Sequence, residues 1–469
     1  MPGYTDTFPT ETQAQIAAGI LILNTSCNRY FGVQPDHHDF GPRIGFSYLL
    51  TPATVFRAGY GLYYGPEQLG PFGQPSAGFS TPFLLEDSFE VANSNPTTVN
   101  TVTMDTGFPG YALTNPGDPT LYAIAPHLRT PYFQQWNATV QRQLTANTAV
   151  DISYIGSKTT ALYVTNDWNI PAATTDPSIP YAQRQPFPNV DANGDLDTGS
   201  AIQGPSNQGL GNYNALGIKF QAHLRNGLTM ISAYTWSHDI DDITNSGLSV
   251  GNNGRASYPN QQLTLQHGNS DWDIADRWVT GFVYDLPYGR GRTFGSNLNR
   301  VADAFLGGWQ TGGILTVESG PWYTVNQDYD SAHNGFICGT CQQRPDAVAG
   351  QNANNGPRKV DPNNSAVHWF NVNAFTQAAN GTVGDLRRNT VAGPAYRNYD
   401  ASLGKFFDFR EGMRFQIRME AYNATNTTNF LATKQSTSPS GFYLGNSNFG
   451  DVTADRGGRT VQLAGRFVF

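Results

Sequence analysis

Asp191, Asn193, Asp195 and Asp197 stand at alternate positions of DANGDLD, the spacing by which a calcium loop turns oxygen-bearing side chains onto one ion. Leu196 occupies the position where such a loop bends on glycine, and Ile202 the position of its closing bidentate glutamate. A calcium site is one reading of this stretch; a solvated acidic loop tip fits the two departures better. Cys338 and Cys341 form a CxxC beside His333, but zinc needs four ligands and no second pair follows. In an oxidising compartment the expected state is a local Cys338–Cys341 disulfide. A redox role lacks the βαβ context it requires. His37-His38, flanked by Asp36 and Asp39, and the group Asp239, Asp241 and Asp242 read as polar loop before they read as cation sites. The sequence holds no GxSxG, HExxH, P-loop or dinucleotide fingerprint. No catalytic residue and no cofactor are expected.

The weight therefore falls on the elements that carry these residues. Of 469 residues, 50 are glycine and 29 proline, 13% are aromatic and only 14% charged. Mean hydropathy is -0.41. A chain rich in aromatics, poor in charge and still hydrophilic suits surfaces that alternate at every second residue. It does not suit buried parallel strands, which read as Val/Ile/Leu runs. A net charge of -8 without a Lys/Arg cluster excludes an extended nucleic-acid footprint. No run of 18 apolar residues exists, so no helical membrane span is expected; that leaves a β-barrel open. IAAGILIL (16–23) is apolar, but Asp6 and Glu11 precede it where a signal peptide needs positive charge. It reads as a strand or short helix.

Two-residue periodicity recurs along the chain. IGFSYLL, VFRAGYGLYY, WNATVQRQL, TAVDISYIG, LGIKFQAHL, LTMISAYTWS, RWVTGFVYDLP, GWQTGGILTVES and YDASLGKFFDF all carry it. MRFQIRMEAYN is the clearest: Phe415, Ile417, Met419 and Ala421 face one way, Arg414, Gln416, Arg418 and Glu420 the other. The chain ends on VQLAGRFVF, with Val461, Leu463, Phe467 and Phe469 on one face and Gln462 and Arg466 on the other. About eleven to twelve strands emerge, each near the length that crosses a bilayer at a tilt. Their connections alternate tight and long: 51–52, 145–147, 225–227 and 410–412 against 65–131, 159–212, 239–274, 320–396 and 425–458. The connection 288–305 is intermediate. Sandwiches seldom sort loops this way, whereas outer-membrane barrels have short periplasmic turns and long outer loops. Trp136, Tyr234, Trp236, Trp278, Trp309 and Phe469 lie near strand ends, where interfacial girdles form.

The expected fold is all-β: an antiparallel transmembrane β-barrel, partial, with long extracellular loops. Its charged face, carrying Lys219, Arg414, Arg418 and Glu420, is expected to face a watered lumen.

The segments GPRIGFSYLLTPATVFRAGYGLYYGP, TPYFQQWNATVQRQLTANTAVDISYIGS, YNALGIKFQAHLRNGLTMISAYTWSHDIDD and FGDVTADRGGRTVQLAGRFVF resemble the barrel of TonB-dependent outer-membrane receptors of the Oar-like type. DRWVTGFVYDLPYGRGR, GWQTGGILTVESGPW, WFNVNAF, RNYDASLGKFF and MRFQIRMEAYNATN share the likeness. It runs from about Gly41 to Phe469 and leaves 1–40 as a poorly defined N-terminal segment. The resemblance implies a C-terminal portion of a larger barrel preceded by a plug. Signal peptide, TonB box, plug and roughly half the strands of that pattern have no counterpart here, so no gating residue can be assigned. It implies uptake of a solute across the outer membrane of a Gram-negative cell. The implied partners are membrane lipid, the barrel-assembly machinery that reads a terminal aromatic strand, and a TonB system reached only through the missing region. A surface adhesin using the same loops, and a secreted β-rich carbohydrate-active enzyme, are the rival readings.

Overall fold

The computed structural model describes residues 39–65, 121–122, 129–167, 169–186, 189–190, 196–197, 202–224, 227–242, 263–334, 343–360, 366–410, 413–431 and 442–469. IAAGILIL, Cys27 and His37-His38 lie outside them.

Eleven long strands form the main path of one sheet. They are β1 (Arg43–Thr51), β2 (Thr54–Tyr64), β3 (Tyr132–Thr145), β4 (Thr148–Asp167), β5 (Ile202–His223) and β6 (Leu228–Asp241). β7 (Asp276–Asp285), β8 (Trp309–Glu318), β9 (Tyr396–Arg410), β10 (Met413–Tyr422) and β11 (Thr460–Val468) complete it. Each strand pairs antiparallel with its neighbour in sequence, the meander that the periodicity and loop lengths imply. Helix α1 (Arg300–Leu306) lies in the connection between β7 and β8. The sheet is open, with β1 and β11 as its two edges, and every residue of both strands is exposed.

The tight ends have local causes. Between β3 and β4 the hydroxyls of Thr145 and Thr148 meet at 2.7 Å, and Asn147 N–H donates to Thr145 Oγ1 at 3.2 Å. Between β5 and β6 the Gly227 amide returns to Leu224 O at 3.1 Å with φ at +85°. Only glycine enters that region without strain, and a Cβ there would press on Asp285 Cβ at 2.9 Å.

β4 and β5 run to 20 and 22 residues, so the expected loop 159–212 shortens to 168–201. The apolar alternation of β4 stops near Ser157. Two register shifts mark that upper part, and Ala161 takes φ 61° there.

The segments beyond β8 and β10 fold onto one another as a cap. Trp322–Tyr323 pairs with Val391–Ala392, Asn326–Gln327 with Tyr443–Leu444, and Val367–His368 with Asp451–Val452. Tyr323, Val325, Phe370, Phe375, Leu386, Val391, Phe442 and Val452 form a buried core beneath them. Tyr323 stacks on Phe442 at 4.6 Å, and Phe370 meets Phe449 edge-on at 5.2 Å.

Candidate functional site

In an antiparallel ladder opposed residues share a face, so the register carries one side of the sheet from strand to strand. Tyr48, Phe56, Val140, Ile152, Ile218, Tyr234, Trp278 and Val317 form one such row. Gly313, on the same face of β8, continues it through Ala401 and Ala421 to Val461. No bulge breaks the parity between β1 and β11 along these rows. The opposite face carries Ser47, Arg57, Thr139, Ser153, Gly217, Thr235, Arg277 and Glu318, then Ser402, Glu420 and Gln462.

Most ionisable groups on the apolar face sit at its margins; Lys405, opposite Trp309 and Ile417, lies within it and is buried, its ammonium donating to Gly307 O. Asp276 and Arg397 lie in the first two residues of β7 and β9, and Arg142 lies near the end of β3. Lys158 stands opposite Gln134 and Asn212, where the upper sheet has already turned polar. Trp136, Tyr234, Trp236, Trp278 and Trp309 all fall on the apolar face. The Trp136 ring crosses Gly156, where a Cβ would come within 2.3 Å of the indole nitrogen. Tyr234 donates its hydroxyl to Asp276 at 2.6 Å, and Trp278 Nε1 donates to Ser232 Oγ at 3.0 Å.

Lys219, Arg414, Arg418 and Glu420 share the polar face without forming one cluster. Lys219 on β5 opposes Asp151 across the ladder. Arg418 and Glu420 are ion-paired on β10, and Gln462 Nε2 donates to Glu420 from β11. Arg414, four residues below Arg418, lies 5.2 Å from the Phe406 ring. β6 to β9 separate Lys219 from the other three. Arg277 Nε meets Glu318 at 2.6 Å, and Arg57 Nη1 meets Gln141 at 3.0 Å on the same face. Polar groups therefore come as short cross-strand pairs along the wall. A groove between β6 and β10 adds Ile231, Val283 and Ile314 to that polar face.

Val461, Leu463 and Phe467 lie on the apolar face, opposite Ala421, Met419 and Phe415. Phe469 follows in phase, 94% exposed and 6.1 Å from the Phe467 ring.

At the other end of the sheet the acidic group Asp239, Asp241 and Asp242 is not a free loop entrance. Arg388, from the cap, is fully buried and pairs with Asp241 while its Nε donates to Gln266 O at 2.9 Å. Asp242 accepts from Leu210 N at 2.9 Å and meets His267 Nδ1 at 2.7 Å. Buried Asp273 accepts from Asp239 N and from Trp322 Nε1, both at 2.9 Å. These contacts tie the cap to the sheet, because a buried guanidinium needs both a counter-charge and hydrogen bonds. Burial pulls the Arg388 pKa down to about 10, against the charge of Asp239. Periodicity offered no sign of this lock, since its members lie far apart in sequence.

The side chains of Asp191, Asn193, Asp195 and Asp197, and the whole of Cys338 and Cys341, lie outside the described residues; by backbone, Leu196–Asp197 pairs with Asn189–Val190. Among the described residues no group of three His, Cys, Asp or Glu is placed to hold a metal. His333 instead meets Asn380 Oδ1 at 2.6 Å.

One apolar face, one polar face, aromatic margins and connections sorted by length define the wall of a membrane-spanning β-barrel. The sequence matches the family described as outer membrane beta barrel domain over residues 3–462, and the chain belongs to that family. It is a protein of the Gram-negative outer membrane. Solved structures with a similar fold include the outer membrane transporter YddB from Escherichia coli, at 9% identity and a TM-score of 0.42. BauA, the ferric preacinetobactin receptor from Acinetobacter baumannii, has 11% identity and a TM-score of 0.40. The ferripyoverdine receptor of Pseudomonas aeruginosa has 9% and 0.40. Each similarity covers 92% of this chain but only 40%, 36% and 33% of those chains respectively. No curated protein sequence matches the chain.

Proposed function

We propose that the eleven-strand sheet is part of the wall of a TonB-dependent receptor that brings a solute across the outer membrane. The observation that carries this reading is the two-face register that runs from β1 to β11 along these rows, with a folded cap at the end of the sheet opposite the tight turns. In this reading the apolar face meets lipid, since Arg or Lys at a bilayer midplane costs about 2–4 kcal/mol. The polar face, with Lys219, Arg414, Arg418 and Glu420, lines the lumen, and the cap takes up solute from outside. Further strands complete the barrel beyond the edges of β1 and β11. Coupling to TonB rests on the sequence resemblance alone.

The test is genetic and topological together. Ala349→Cys in the cap should react with a membrane-impermeant maleimide on intact cells, and Asn147→Cys in the β3–β4 turn only after permeabilisation. Both are made with the three native cysteines replaced by serine. Deleting this gene and deleting TonB should then produce the same growth defect on at least one scarce nutrient. Surface exposure of the cap without any TonB-linked defect would favour an adhesin.

A further inference from the structure

The connection between β7 and β8 differs from the tight turns that share its end of the sheet. It spans residues 286–308, carries α1, and holds several apolar side chains in the open. Val301 and Phe305, one helical turn apart, are 70% and 72% exposed, and Phe294 is 58% exposed. α1 buries none of its seven residues. So short a helix does not hold itself together in water and needs a surface for its apolar side.

Its contacts say which surface. Lys405 belongs to the apolar face of the sheet, opposite Trp309 and Ile417. Its ammonium donates to Gly307 O at the end of α1 and lies 5.6 Å from the Trp309 ring and 5.0 Å from Phe407. Trp309 Nε1 donates to Phe305 O at 2.9 Å. The last turn of α1 therefore lies against the apolar face and covers a lysine that would otherwise meet hydrocarbon; Lys405 is only 5% exposed. The charge of the connection is distinctive as well. It carries exposed Arg290, Arg292 and Arg300 against one acid, Asp303, in a chain of net charge -8. Asp303 is turned inward, accepting from Arg290 N at 2.7 Å.

We propose that residues 286–308 form an interfacial lipid-binding element, with Val301, Phe305 and Phe294 set into the inner-facing leaflet and the three arginines on the phosphates of anionic phospholipids. A short amphipathic helix flanked by basic residues binds such an interface through its buried apolar area and its charge together. Guanidinium matches phosphate geometry through its fork of donors. Continuity with the lipid-facing band through Lys405, Trp309 and Phe407 selects lipid over a soluble partner or a second copy. The proposal rests on the barrel reading above.

The test places a reporter on the helix and another on the wall. Phe305→Trp and Ile417→Trp are each refolded in vesicles of brominated phosphatidylglycerol or brominated phosphatidylcholine, and emission is compared with the parent chain. Ile417→Trp should be quenched in both. Phe305→Trp should be quenched by roughly half as much or more, for a side chain about 5–10 Å into the interface. That quenching should be greater in phosphatidylglycerol, with the excess lost in Arg290→Gln/Arg292→Gln/Arg300→Gln. Quenching of Ile417→Trp without quenching of Phe305→Trp would overturn the proposal. Equal quenching of Phe305→Trp in both lipids would overturn the anionic selectivity it asserts. Quenching of neither would instead refute the barrel reading.

Discussion

Arg388 shows how a single side chain can hold an outer cap in place. Its guanidinium is shielded from water, pairs with Asp241 of β6, and leaves Nη1 without a hydrogen-bond partner. Removing one member of a buried pair strands the other, at about 3–5 kcal/mol. Arg388→Met and Asp241→Asn should each loosen the cap by that order, and the double variant by less than their sum. Hydrogen exchange over 319–395 would read this, and strict additivity would contradict the pairing. Tyr323 supplies a pH test. Burial pushes its phenol up to about 12, against an ordinary value near 10. Because the folded-state value is raised, its contribution is complete below about pH 10 and is lost as pH rises through 12. The shift corresponds to about 3 kcal/mol at most. Arg388, whose value is lowered, works in the opposite direction over much the same window, so the comparison must isolate the phenol. Protease resistance of the cap should fall between pH 10 and 12 more steeply in the parent than in Tyr323→Phe; parallel curves would contradict it.

The wall is built from strands that each present two faces. Ile417→Arg, in the middle of the apolar row, should cost about 2–4 kcal/mol in unfolding from vesicles, whereas Gln416→Arg beside it should cost little. Equal costs would mean that both faces see water. The last strand makes a separate prediction. If assembly reads the Phe467/Phe469 end, deleting Phe469 should lower membrane insertion far more than deleting one residue of a long loop, as measured by yield in the outer-membrane fraction. Strands of this kind were legible in the sequence because period two needs only local residues: MRFQIRMEAYN and VQLAGRFVF show their faces without any partner. The shared face of Lys219, Arg418 and Glu420 was legible for the same reason, but the Arg418–Glu420 ion pair was not. The cap was not. Trp322–Tyr323 and Val391–Ala392 are too short to show a period, and their core residues, such as Val325 and Phe442, meet across more than a hundred positions. The lock of Arg388 on Asp241 spans 147 positions and likewise has no local trace.

At the scale of the molecule, the odd number of long strands among the described residues has a geometric consequence. β1 and β11 both run from the capped end toward the tight-turn end, so joining them directly would make a parallel seam in an antiparallel sheet. Antiparallel closure needs an odd number of additional strands between these edges. Cysteines at Ser47 and Ala464, on the polar faces of the two edges, should therefore fail to form a disulfide in the membrane-inserted protein; efficient cross-linking would mean that the two edges meet. The central claim is that one face of this sheet meets lipid and the other water. It is tested most directly by labelling β10 one residue at a time, from Arg414 to Tyr422, with spin-labelled cysteines in a background free of native cysteine. Lipid-soluble oxygen should relax positions 415, 417, 419 and 421 most, and a water-soluble nickel complex positions 414, 416, 418 and 420, giving two period-two profiles out of phase. Two profiles in phase, or no period of two in either, would contradict it.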